Sequence, residues 1–203
     1  MAIVRGSGHP SASKNVTRLL SHDDATLFFR LQKTLLCFVN QKVRISNVLF
    51  SLEDFAVPRL DEMLKVRDEL IRKPELLESF LRQNPAHLSG EELAIVSSWQ
   101  HQVAGTFYIF RELKKHTIFL SSGDVSVAYG VVALTQPFDE LVPWLPALAK
   151  TVLLPFKNTI IYDGLLQIHN VSFGAGIRQM LSEKYKSAKE WSGIITSLPL
   201  RSS

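Results

Sequence analysis

Apolar residues recur every three or four positions through the first half of the chain, which is the period of an amphipathic helix. Residues 25–43 show this spacing at Leu27, Leu31, Leu35 and Phe38. Further helices are indicated after Pro58, from Pro74 and after Ser89, where the Ser-Gly-Glu-Glu spacing matches a capping box. The pattern predicts a helical region over residues 22–104.

The apolar pattern changes at Gly105. Short runs rich in β-branched and aromatic residues follow, separated by turn residues, at 106–110, 117–120, 125–134, 152–156, 159–162 and 165–169. A last helix is indicated over residues 176–191, with Gly193 suited to end it. We therefore expect an α+β fold, in which the helical N-terminal half packs on a small curved antiparallel sheet or open barrel with a C-terminal helix, over residues 105–203.

Composition favours an ordinary soluble globular protein, with 46% hydrophobic and 21% charged residues. Residues 1–21 are rich in Ser, Gly and Asn and are predicted to form a flexible tail. We find neither a signal-peptide pattern nor an apolar run long enough for a membrane span. Cys37 is the single cysteine, lies among apolar neighbours, and is expected to be buried and unreactive. These features favour a cytoplasmic protein.

The C-terminal half carries short segments in a fixed order, at residues 129–131, 153–157, 160–166, 173–178 and 193–198. In this order they read YGV, LLPFK, IIYDGLL, FGAGIR and GIITSL. The series resembles a bacterial family of uncharacterised proteins, some of which are associated with a C-terminal SEC-C zinc motif. The last three residues include no cysteine or histidine, so the resemblance implies no metal site and no cofactor here. It also implies no established activity.

The net charge of +4 is unevenly distributed. Residues 1–50 carry seven Lys or Arg against two Asp or Glu, residues 51–104 carry six against ten, and residues 174–203 carry five against two. Arg111, Lys114 and Lys115 lie beside aromatic residues of the first strands, as in a platform for single-stranded nucleic acid. Core packing explains most of these aromatic residues more simply. Nucleic acid is therefore an alternative partner.

A glycine-flanked turn precedes the last helix. Gly174, Gly176 and Arg178 place free backbone amides and a permanent cation at a helix start, which is a recurrent way of holding an anion. The alternative is structural, because both glycines permit a tight turn with positive φ. The turn lacks the sequence of a phosphate-binding Walker loop.

Asp163 and His169 are the candidate catalytic residues. Asp163 lies between Tyr162 and Gly164 beside an apolar run, so it is a candidate general base, or else part of an Asp-Gly bend whose carboxylate bonds nearby amides. The six histidines are scattered and show no local metal-ligand spacing. We therefore predict no metal site.

Three classes of function follow from these observations. The leading interpretation is a non-enzymatic protein-interaction module of the bacterial cytoplasm. The alternatives are a nucleic-acid-binding accessory protein, or a small enzyme that acts on an anionic or phosphorylated substrate at the turn before the last helix.

Overall fold

A computed structural model describes residues 18–45 and 60–199 of the chain. Most of the predicted tail, residues 1–17, lies outside the described residues, as do residues 46–59 and 200–203. The fold class is confirmed: a helical N-terminal half is followed by a barrel-like sheet and a long C-terminal helix.

The helical half begins with Ser21, whose hydroxyl accepts a hydrogen bond from the Asp24 amide at 3.1 Å. Ser89 and Glu92 form the predicted capping box, each side chain bonding the other residue's backbone amide. The elements are α1 (His22–Val43), α2 (Leu60–Arg72), α3 (Glu75–Gln83) and α4 (Gly90–Ser98), followed by a 3-10 turn, Trp99–His101.

The second half consists of β1 (Val103–Glu112), β2 (Thr117–Ser121), β3 (Ala128–Val132), α5 (Phe138–Leu141), β4 (Ala147–Phe156), β5 (Thr159–Tyr162), β6 (Gln167–His169), α6 (Ala175–Ser192) and β7 (Ile194–Ile195). Five strands pair in a ring, in the order β1-β2-β3-β5-β4 and back to β1. The five strands therefore form a small, barrel-like sheet.

The sheet is mixed, and in this detail it differs from the antiparallel sheet expected from the sequence. β3 pairs in parallel with both β5 and β7. The physical reason is the crossover between β3 and β4, which carries β4 beside β1. The β4–β5 hairpin then returns β5 to the free side of β3 and completes the ring.

Aromatic side chains fill the inside of the barrel. Phe107, Phe119 and Tyr129 lie with ring centroids about 6 Å apart. Phe138, from the short helix α5, is fully buried and contacts both Phe119 and Tyr162, with centroids 4.9 Å and 5.1 Å apart. This side chain of the four-residue helix therefore packs against the aromatic residues inside the barrel.

The outer surface of the barrel is covered on two sides. Phe28 of α1 packs edge-on against Phe156 of β4, so that the helices and the barrel share one continuous core. On another side α6 packs on β1, β2 and β3 through a second core, composed of Phe110, Ile118, Leu120, Ala128, Leu181 and Ala188. Gly193 ends α6 with a φ of 71°, as its position after the apolar pattern predicted.

The structure bears on two sequence-based expectations, that no segment spans a membrane and that Cys37 is buried. Among the described residues, no helix is long and apolar enough to span a bilayer. Cys37 is partly exposed rather than buried, since it lies at the margin of the core face of α1.

One close contact inside this fold can be tested by substitution. A β-carbon at Gly130 would lie 2.8 Å and 2.9 Å from two carbons of the His116 ring. We expect Gly130→Ala to lower the free energy of unfolding by about 1–3 kcal/mol, measured by urea denaturation. Gly123→Ala is the control, because its nearest neighbour would be 4.0 Å away. Adding His116→Ala to Gly130→Ala should recover most of the loss; unchanged stability in Gly130→Ala would contradict the packing.

Candidate functional site

Asp163 lies where β5 ends and the chain turns toward β6. The residue is 3% exposed. One carboxylate oxygen accepts hydrogen bonds from the Thr151 hydroxyl at 3.0 Å and the Leu165 amide at 3.1 Å, and the other lies 3.4 Å from Arg67 Nη1. Gly164 has a φ of +79°, which allows the chain to bend back so that the Leu165 amide reaches the carboxylate. This is the Asp-Gly bend that the sequence analysis gave as the structural alternative.

The same residue joins the barrel to the helices. Gln32 of α1 donates its side-chain amide to the Asp163 carbonyl, and Arg67 of α2 also lies within 3.5 Å of the Leu165 carbonyl. Arg67 forms a second ion pair with Asp68 at 2.9 Å, and Lys150 of β4 binds Asp68 at 2.8 Å. Two cations and two carboxylates therefore form one chain of charges, beginning in the interior and ending at the surface.

Burial and charge act in opposite directions on the Asp163 carboxyl. Burial raises the pKa of Asp163, while the Arg67 charge and the hydrogen bonds to the carboxylate act to lower it. The net direction is upward, because a fully buried carboxylate loses its hydration. Arg67 is the cation that offsets this cost.

The two candidate catalytic residues are not brought together. Asp163 bonds Thr151 in the interior, whereas His169 is exposed on β6 and pairs in register with Leu148. Three residues of strand separate the two points along β4, which is about 10 Å. Among the described residues, no group of three His, Cys, Asp or Glu side chains is placed to hold a metal ion.

The turn before α6 is exposed. Gly174 is the N-cap residue with φ −71°, and neither Gly174 nor Gly176 adopts the positive φ that the structural alternative assumed. The extended backbone at Gly174 enters the helix without a left-handed residue. Arg178 bonds the carbonyls of Phe173 at 3.0 Å and Leu145 at 3.5 Å, so its guanidinium ties α6 to the loop before β4.

A group of exposed apolar side chains lies near this turn. It comprises Trp144, Ile168 and Val171, which are three of the six large apolar side chains exposed in the described part of the chain. We call it the β6 surface. The Trp144 indole donates to the Val171 carbonyl at 3.4 Å, and Trp144, Ile168 and His169 line a hollow of about 270 Å³. His169 lines the hollow, and Arg178 bonds the carbonyl of Leu145, the residue after Trp144.

The three cations proposed for nucleic acid lie at the β1–β2 turn. Arg111 stacks on the rings of Phe110 and Tyr185, with its guanidinium carbon 4.3 Å and 5.2 Å from the two centroids. Lys114 and Lys115 are exposed. The outer face of the neighbouring strands β2 and β3 is covered by α6.

The aromatic platform expected beside these cations is occupied in other ways. Phe107 and Phe119 point into the barrel, and Phe110 is buried under α6. Tyr108 packs against Phe173, with centroids 5.7 Å apart. Core packing, the alternative given for these residues, accounts for their placement.

Several residues of these sites were missed by sequence reasoning. Arg67 follows the buried Met63 and Leu64 by four and three residues, a spacing that indicates the same face of α2. Gln32 shows a similar spacing on α1, four residues after the buried Phe28 and four before the buried Leu36. Nothing comparable marks Trp144, whose partner Val171 lies 27 residues away.

No family model, no curated protein and no solved structure matches this chain.

The buried ion pair can be tested through the pH dependence of stability. We expect Arg67→Met to lower the free energy of unfolding by about 3–5 kcal/mol at neutral pH, because it leaves the Asp163 carboxylate without its cation. The pKa of folded Asp163 already lies above its unfolded value and rises further in this variant. Protonation therefore favours the folded variant, and the penalty shrinks as the pH falls through the raised folded-state pKa.

Urea denaturation at neutral pH and at about pH 4 measures this difference. The control combines Arg67→Met with Asp163→Asn, which removes both charges. It should recover much of the stability and lose the pH-dependent part of the penalty. An equal penalty for Arg67→Met at both pH values would show that Asp163 does not depend on Arg67.

Proposed function

We propose that the protein is a non-enzymatic protein-interaction module, which binds an extended, apolar and acidic segment of a partner protein at the β6 surface. The observation that carries this proposal is the concentration of exposed Trp144, Ile168 and Val171 around one strand. Contiguous apolar surface of this kind is characteristic of protein-binding sites.

The β6 strand offers a second feature that a peptide can use. Gln167–His169 pairs with β4 on one side, and no described strand pairs with its other side. A free strand edge presents backbone amides and carbonyls to which an extended peptide can add. Ile168 and Val171 then provide apolar contacts for side chains of the added strand.

The charge of this surface indicates the chemistry of the partner. Between residues 143 and 179 the single acidic residue is Asp163, which is buried with Arg67. Lys150 and Lys157 are each paired with an aspartate of the helical half. Arg178, in contrast, is bonded to backbone carbonyls, which leave its positive charge unneutralised. A partner carboxylate near Arg178 would supply the missing charge.

The arrangement of Asp163 supports a binding role rather than catalysis. Its carboxylate is buried and bonded to Thr151, Leu165 and Arg67, as expected of a structural group. The compartment is part of the same proposal: the single cysteine and the resemblance to a bacterial family support the bacterial cytoplasm.

We expect a displayed library of random peptides, panned on the protein, to enrich extended sequences with alternating apolar residues and at least one Asp or Glu. Binding of a fluorescent synthetic peptide from that set, measured by polarisation, should weaken about tenfold or more in Ile168→Lys with Val171→Lys. Arg178→Glu should weaken the acidic peptide more than an analogue with Gln in place of Glu. Hydrogen exchange of the β6 amides should slow when the peptide is bound.

Trp191→Ala is the matched control, because Trp191 is 89% exposed and lies at the end of α6, outside the β6 surface. The proposal fails if the enriched peptides bind equally to the Ile168 and Val171 variant. Self-association that Ile168→Lys abolishes in sedimentation would assign the surface to a second copy of the chain. A salt-dependent gel shift lost on reversing the charges of Arg111, Lys114 and Lys115 would favour the nucleic-acid alternative.

A further inference from the structure

A cavity of about 120 Å³ lies between the helical half and β4, on the side of the barrel away from α6. Its walls are mainly apolar, formed by Leu35, Leu36, Leu77, Leu81, Val152 and Leu154. The exposed residues Pro74, Glu78 and Gln100 also line it, so the cavity reaches the surface between α3 and the 3-10 turn. At the buried end are Gln32, Arg67 and Asp163.

Three polar atoms of the lining residues lack hydrogen-bond partners within the described structure. One is Nη2 of Arg67, whose charge is already paired with the Asp68 carboxylate at 2.9 Å. The indole Nε1 of Trp99 is a buried donor, and the side-chain oxygen of Gln32 is a buried acceptor. The identity of the Gln32 oxygen follows from its other atom, because Nε2 donates to the Asp163 carbonyl. Trp99 and Gln32 are 3% and 4% exposed. Buried polar groups are normally satisfied, so an unbonded donor and an unbonded acceptor beside one cavity indicate that something else completes them.

The charges near the buried end are already balanced. Arg67 and Lys150 carry two positive charges, and Asp68 and Asp163 carry two negative charges in the same chain of ion pairs. An anionic ligand would meet Asp163, and a cationic ligand would meet Arg67. A neutral molecule avoids both costs.

The volume sets the size of the molecule. An engineered apolar cavity of roughly 150 Å³ binds benzene, so a cavity of this volume accommodates a single six-membered ring or a short alkyl chain. A hydroxyl group can accept from the Trp99 indole or donate to the Gln32 oxygen, so it suits either of these unbonded atoms.

We infer that this cavity is a binding site for a small neutral molecule, consisting of one ring or short chain with a hydroxyl group that accepts a hydrogen bond from Trp99. This inference is independent of the β6 surface, because the cavity and that surface share no lining residue.

Phenol is the first probe, and benzene and benzoate are its comparisons. In titrations followed by methyl-resolved NMR, phenol should shift the methyl signals of Leu35, Leu77 and Val152 and bind with millimolar or tighter affinity. Benzene should bind more weakly, since it lacks the hydroxyl. Benzoate should bind least, because its negative charge would lose hydration in the cavity without an unpaired cation to compensate for the loss.

Trp99→Phe tests the assigned donor. It removes the Nε1–H and keeps an aromatic ring, so the affinity for phenol should fall about fivefold while that for benzene stays the same or rises. The ratio of the two affinities is the readout, because a general loss of packing would change both in the same direction. Trp144→Phe is the matched control outside the cavity.

Leu81→Trp tests the location by filling the cavity, and should abolish phenol binding. Leu76→Trp, on the same helix but outside the lining, should leave it unchanged. Where Leu81→Trp fails to fold, the methyl shifts of the wild-type protein decide the location. The inference is overturned if phenol at millimolar concentration shifts none of the lining methyls, if its shifts map elsewhere, or if Trp99→Phe leaves the phenol-to-benzene ratio unchanged.

Discussion

The ion pair between Arg67 and Asp163 is the constraint on which the joining of the two halves depends. A buried carboxylate without a cation costs several kcal/mol, and a buried arginine is equally unfavourable alone. Each half of the chain contributes one of the two charges, Arg67 from α2 and Asp163 from the end of β5. If the halves were misaligned, Arg67 and Asp163 would each be left unpaired in an apolar contact surface. The pair therefore favours the arrangement in which α2 lies against this end of the barrel.

The surrounding contacts set how closely the halves approach. Phe28 of α1 packs on Phe156 and on Trp99, which closes the contact at one side. Gln32, one turn further along α1, bonds the backbone of the Asp-Gly bend. Near this polar contact the leucines of α1 and α3 face β4 around the remaining cavity. The cavity therefore lies beside the hydrogen bond between Gln32 and the Asp163 carbonyl. Hydrogen bonds require a specific geometry, whereas the apolar packing next to it requires that the volume be filled.

The sequence predicted most of the fold because helices and strands are determined by local pattern. The Ser89 capping box, the Gly193 helix end and the switch from helix to strand near Gly105 all rest on neighbouring residues. The parallel pairing of β3 with β5 could not be read in the same way, because it depends on the path of the crossover and on ring closure. Strand pattern gives the period of burial and carries no information on strand direction.

The site residues show the same division between local and long-range information. The bend at Asp163 and Gly164 was recognisable because Asp-Gly is a turn signal. Its partners Gln32 and Arg67 are 131 and 96 residues distant, so no spacing rule connects them. The β6 surface could not be predicted from the sequence either, because Trp144 and Val171 come from separate loops.

The strand β4 explains why the β6 surface and the cavity can be treated as separate sites. Its first residues pair with β6, its Thr151 holds Asp163, and its Val152 and Leu154 line the cavity. Ala149, which pairs with Ile168 of β6, and Val152, which lines the cavity, are three residues apart, which is about 10 Å along an extended strand. β4 is also bonded along its length by β1, β5 and β6, so it is among the least deformable elements of the barrel. Among the described residues, the hollow at Ile168 and the cavity share no lining residue, so we expect substitutions at the two sites to have nearly additive effects on the free energy of unfolding. A ligand in the cavity therefore stabilises the folded chain by an amount set by its affinity and its concentration.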